Sequence, residues 1–236
     1  MRKQSGFTLI EIAIVLVIIG LLLGGVLKGQ ELITSARVRN MISQQDGIKA
    51  AYFGFLDRYR ALPGDYASAV ANISGVGTAC GSGGNGNGNG QIESGTAEPI
   101  MAWDHLSHAG FINGSYTCVD ATTYTTATNP TNPYSMYLQL EYGGFYGAGT
   151  AETGAGASPA KHYLKTGNQV PVEIIAEVDR KVDDGNALRG GFQFSGASAT
   201  GTAPTAANCY DTAAGATNGN WLVTSSETNC GGASLF

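Results

Sequence analysis

The sequence predicts an α+β fold: a long N-terminal helix, membrane-spanning in its first half and amphipathic in its second, packed on a small head of short strands with long Gly-rich loops. Three observations carry this. Phe7 to Leu27 is a run of 21 residues, almost wholly apolar, against the ~20 that a helix needs to cross a bilayer. From Glu31 to about Arg60 no proline interrupts a chain whose apolar residues recur every three or four positions. Past Asp65 the composition shifts to Gly, Ala, Thr and Asn, with short alternating or β-branched runs between turn signals.

The N-terminal segment comes first. Met1 to Gly6 is short and basic, with Arg2 and Lys3, and Ile12 to Leu27 holds no charged residue. No small-residue cleavage site follows the apolar run, as a secretory signal would require. Lys28, Gln30 and Glu31 continue into more helix. The span is therefore expected to be retained, with its basic start on the cytoplasmic side. The rest of the chain then lies outside the cytoplasm. Glu11 is the anomaly. A charge within a span costs about 2.5–3.5 kcal/mol on insertion scales, and such a residue calls for a partner. Either it reaches back to the headgroups, or a neighbouring copy places an amine at its depth.

The second half of the helix carries a stripe at Val38, Met41, Ile48, Tyr52, Phe55, Tyr59 and Leu62, with Gln45 filling the one gap. This alternation of three and four marks one buried face. A globular head is the expected cover, and an inter-subunit coiled-coil seam the alternative. Gly47 and Gly54 weaken the helix locally, and Pro63-Gly64 ends it.

In the head, Gly81–Gly90 (GSGGNGNGNG) is low complexity and is expected to be a mobile loop. Its GxGxxG match arises from repetition alone, and no GxxxxGK[ST] occurs, so no nucleotide site is predicted. It lacks Asp and fits calcium poorly, even with Glu93 or Glu98 nearby. Glu98–Gly114 is predicted helical, with Trp103 in the core. His105 and His108 lie three apart, but no third ligand stands at a diagnostic spacing. Strands are expected at Tyr134–Tyr142, Val170–Val178 and Gly191–Phe194, with an edge strand at Asn218–Ser225. Asp179, Asp183 and Asp184 read as a solvated turn in preference to a cation site. No metal, cofactor or small-molecule substrate is predicted.

The four cysteines, Cys80, Cys118, Cys209 and Cys230, form no CxxC pair. Four cysteines permit three connectivities. Pairing neighbours along the chain gives Cys80–Cys118 and Cys209–Cys230, and reduced, buried thiols are the alternative. The net charge of −5 disfavours a nucleic-acid partner.

Gly6-Phe7-Thr8-Leu9-Ile10-Glu11, after a basic leader and before a long apolar run, resembles the processing site of type IV pilins and the pseudopilins of type II secretion. Ala61–Tyr66, Trp103–Ile112 and Val178–Gly185 resemble segments of pilin-like heads more loosely. The resemblance implies that a prepilin peptidase removes residues 1–6, cutting between Gly6 and Phe7, and methylates the amine of Phe7. It implies that Glu11 pairs with the N-terminal amine of an adjacent subunit. The helix would then occupy 7–60 and the extracytoplasmic head 61–236, with the expected strands forming a small antiparallel sheet laid on the helix, as is typical of pilin heads. Partners would be copies of this chain or other pilins, the peptidase and the membrane. The location would be the inner membrane as a single pass, then a pilus or periplasmic filament. Cys209–Cys230 would staple the C-terminal region. One departure stands out: the apolar run lacks the proline many pilins carry there and has Gly20, Gly24 and Gly25 instead, sites for local melting or for close helix packing. The other function classes are a membrane-anchored extracytoplasmic binding protein and an anchored enzyme. A plain anchor needs neither the Gly6-Phe7 junction nor Glu11, and no nucleophile elbow, HExxH or paired-carboxylate signature appears. Which filament system the chain serves is left open.

Overall fold

The computed structural model describes residues 9–120, 122–151, 155–212 and 219–236. The chain divides into two compact units, Met1–Arg37 and Val38–Phe236. One helix, α1 (Leu9–Tyr59, 51 residues), contributes to both. Within the second unit, α1 buries Val38, Met41, Gln45, Ile48, Ala51, Tyr52 and Phe55, the expected stripe in steps of three and four. It ends where Arg60 turns left-handed at φ 53°. Gly64 follows at φ 86°, and a Cβ there would run into the Glu98 carbonyl, so only glycine fits.

Two apolar clusters divide the stripe. Val38 and Met41 pack with Val172, Ile175, Val178, Phe192 and Phe194. Ile48, Tyr52 and Phe55 pack with Trp103, Leu106, Leu138, Leu140 and Leu164. The stripe therefore covers itself with head residues of its own chain.

The sheet has four antiparallel strands, β1 (Gln139–Gly143), β2 (Lys161–Lys165), β3 (Phe192–Phe194) and β4 (Gly232–Leu235), in the order β1-β2-β4-β3. The α+β class with a long N-terminal helix and a small antiparallel sheet is thus what the chain adopts. Two of the strands, β2 and β4, lie where no strand was expected. The strand expected at Tyr134–Tyr142 forms only from Gln139, and the Gly- and Ala-rich tail supplies β4, an interior strand of the sheet.

The Val170–Val178 strand is a correction: Val172–Val182 is a helix, α4, following the short α2 (Ala69–Asn72) and α3 (Glu98–His108). Its β-branched residues suggested a strand, but its period is helical. Val172, Ile175, Val178 and Asp179 face inward, while Glu173, Arg180 and Lys181 are exposed. Glu177 pairs on the outer side with Arg180 at 2.9 Å and Lys181 at 2.8 Å. Packing of that stripe outweighs a ~1 kcal/mol-scale β propensity. After the short α5 (Ala206–Cys209), the expected edge strand at Asn218–Ser225 also fails. Asn218 lies outside the described residues, and Asn220 and Trp221 make only isolated bridges to Asn186 and Tyr210.

The mobile loop expected at Gly81–Gly90 is instead organised by two buried carboxylates. Asp65 accepts the amides of Gly88 at 2.6 Å, Asn89 at 3.0 Å and Gly90 at 2.8 Å. Glu98 accepts those of Asn87 at 3.1 Å and Glu93 at 3.0 Å. Gly86 passes over the Asp65 backbone, where any Cβ would collide. Each charge-assisted bond replaces water that the loop would otherwise need, so low complexity here encodes close approach.

His105 joins this loop to the helix-ending turn. Its Nδ1 accepts the Gly64 amide at 2.9 Å, so its Nε2 carries the proton and donates to the Gly84 carbonyl at 3.0 Å. Burial holds its pKa below the usual 6.5. Protonation would set a second N–H against the Gly64 amide.

Disulfides join Cys80 to Cys118 and Cys209 to Cys230, with Cα–Cα separations of 5.5 and 5.8 Å. Asp104 Oδ2 accepts the Cys118 and Gly77 amides beside the first.

Two outcomes follow from this architecture. The His105 contribution is complete above pH ~6.5, where the unfolded imidazole is neutral, and is lost as pH falls below it. His105→Gln, which keeps one donor and one acceptor, should flatten the fall in denaturation midpoint between about pH 7 and pH 5; an unchanged pH slope would refute this. Replacing Cys209 and Cys230 together by Ser should cost about 3 kcal/mol in chemical denaturation, because the bridge closes a loop of 21 residues in sequence.

Candidate assembly segment and polar clusters of the head

The first unit carries the candidate assembly segment. Along α1 from Leu9 to Leu27 every side chain is exposed, Leu9 to 92%. This helix is long and apolar enough to cross a membrane, and none of its most apolar stretch is buried by the described residues. Glu11 is the single acid in the first turn, where the helix dipole favours a negative charge. The next charges along α1 are Lys28 and Glu31, paired at 2.7 Å. Sixteen successive uncharged positions thus separate Glu11 from that pair. No atom outside the local helix lies within 4 Å of a Cβ built at Gly20, Gly24, Gly25 or Gly29. These glycines leave shallow notches in an otherwise bulky surface, which another helix backbone can approach closely. Gly6 and Phe7 lie outside the described residues.

Such a surface can do one kind of chemistry: it buries. Each Leu, Ile or Val taken from water contributes about 1.5–3 kcal/mol. A carboxylate such as that of Glu11 is costly to bring into an apolar medium unless a cation meets it there.

The head's titratable candidates serve the fold. His105 and His108 do not converge. Both ring nitrogens of His105 are engaged with backbone, and His108 Nδ1 meets Asp104 Oδ1 at 2.7 Å. Glu93 and Glu98 are engaged with Asn87. The carboxylates of Asp179, Asp183 and Asp184 come within 4.8 Å of one another, but each has structural work. Asp183 Oδ2 caps the amides of Gly191 and Phe192, and Asp184 Oδ1 accepts the Asn186 amide at 2.9 Å. Buried Asp179 accepts the Trp221 indole N–H at 2.6 Å. Burial, and then the charges of Asp184 and Asp183, push its pKa up to about 6.

Sequence reasoning missed the buried Lys165–Glu141 pair, at 2.7 Å with side chains 3% and 4% exposed. Alternating apolar and polar residues in this stretch read as a half-buried strand, and Gln139 and Glu141 stand at its polar positions. In the structure that face is covered. Spacing in one segment cannot show this, because the covering residues lie far along the chain.

Compared with curated proteins and with solved structures, the chain matches none. Residues 1–27 match the family model of the prokaryotic N-terminal methylation motif, which is typical of type IV pilins and pseudopilins.

Proposed function

We propose that this chain is the precursor of a structural subunit of a type IV pilus or of a pilus-like filament such as a type II secretion pseudopilus. The observation that supports this reading is the pairing of the methylation motif at residues 1–27 with an exposed apolar helix bearing one acid, Glu11. A prepilin peptidase cuts between Gly6 and Phe7 and methylates the amine of Phe7. Until assembly the helix rests in the inner membrane as a single pass, with the head outside the cytoplasm. In the filament, the apolar segments of neighbouring copies or other pilins replace lipid. Glu11 takes the new amine of an adjacent subunit as its counter-charge. Its role is polymerisation, and the chain is not an enzyme.

Mass spectrometry of filaments sheared from native cells tests the reading. The expected N-terminal peptide begins at N-methylated Phe7. A peptide beginning at Met1 would reduce the segment to a plain anchor and overturn the proposal. Glu11→Ala should still be inserted and cut, yet assemble poorly, because an amine left unpaired in an apolar contact costs about 3–5 kcal/mol. Wild-type filament yield from that variant would remove the pairing role.

A further inference from the structure

The buried pair on β1 and β2 has a third member. Lys165 Nζ lies 2.7 Å from Glu141 Oε2, and Gln139 Nε2 donates to Glu141 Oε1 at 2.9 Å. One carboxylate therefore holds an amine and a carboxamide together. Backbone pairing enforces the same approach. Gln139 and Lys165 are direct cross-strand partners, so their side chains rise side by side on one face. Glu141, two residues on, shares that face. All three are nearly sealed from water: Gln139 is 6% exposed, Glu141 3% and Lys165 2%. The Tyr163 and Phe145 ring centroids stand 5.1 and 6.0 Å from Lys165 Nζ. Gln139 Oε1 is buried and accepts no hydrogen bond.

A fold seeking only stability would seldom bury a lysine, a glutamate and a half-satisfied amide together, because desolvation offsets their attraction. The arrangement matches the needs of acyl transfer: a desolvated amine, a carboxamide and a proton carrier touching both.

We propose that Lys165 and Gln139 become joined by a spontaneous intramolecular isopeptide bond, with Glu141 as the catalytic acid–base. Proton transfer along the 2.7 Å contact leaves a neutral amine and a neutral carboxylic acid. Once protonated, Glu141 can donate only to an acceptor, so the Gln139 carboxamide turns over to bring Oε1 against it; the Nζ lone pair then attacks Cδ, and the Glu141 proton passes to Oε1 as the tetrahedral intermediate forms. Glu141 then relays the surplus Nζ proton to Nε2, the Oε1–H proton returns as the carbonyl re-forms, and the Cδ–Nε2 bond breaks. One C–N bond forms, one breaks, neutral ammonia leaves and Glu141 ends as the carboxylic acid formed in the first transfer. No oxidant or cofactor takes part. A cleft of about 400 Å³, lined in part by Gln139, Glu141 and Lys165, gives the ammonia a way out. The product ties β1 to β2 covalently and removes two buried charges.

Peptide mapping of the reduced, full-length protein purified from its membranes tests this without reference to filament formation. The expected result is a linked peptide pair joining Lys165 to Gln139, one ammonia lighter than its parts, with no tryptic cleavage after Lys165. Glu141→Gln should restore the full mass and that cleavage. Two separate unmodified peptides from the wild type would overturn the proposal. So would a pair lighter by one water, which would place the bond between Lys165 and Glu141. Because the wild-type map is decisive, a variant that fails to fold leaves the conclusion intact either way.

Discussion

An apolar helix surface with no cover of its own cannot persist in water. Leu9 to Leu27 is such a surface, and the rest of this protein is arranged around that constraint. A chain that keeps it needs lipid or other helices, and the prokaryotic N-terminal methylation motif at residues 1–27 coincides with it. The carboxylate of Glu11 makes non-specific burial expensive and burial beside a cation favourable.

The second part of α1 solves the same problem within the chain. Its stripe from Val38 to Phe55 is narrow, and the head supplies two separate clusters to cover it. Much of that head is built from residues with little to bury. Its order comes instead from carboxylate acceptors: buried Asp65 and Glu98 gather the amides of the Gly-rich loop, buried Asp104 ties both flanks of the Cys80–Cys118 bridge, and exposed Asp183 caps the amides that lead into β3. Gly-rich sequence suits this design because backbone N–H groups must come close to carboxylates and to other backbone. A side chain at Gly64 or Gly86 would prevent that approach.

Errors in reading the head share one cause. Val172–Val182 was legible as apolar but not as helical, because β-branched residues and a helical stripe give opposite signals, and the cover on one face decides between them. Gly232–Leu235 carries no strand signal at all. It becomes an interior strand because β2 and β3 present backbone groups on both sides that must be paired. The Lys165–Glu141–Gln139 cluster was invisible for a related reason: alternation marks two faces but cannot say that both are buried.

What the sequence determined by itself is whatever local chemistry decides: a membrane-length helix with one acid, a stripe of period three and four, the Pro63-Gly64 stop, and four cysteines with no metal-binding spacing. These follow from composition and periodicity within a few turns of chain. Tertiary structure decided the strand order, the α4 helix, the pinning of the Gly-rich loop and the burial of a charged pair between strands. Each of those depends on which distant segment arrives to cover a face or accept a hydrogen bond, and that information is held in no single stretch of the chain.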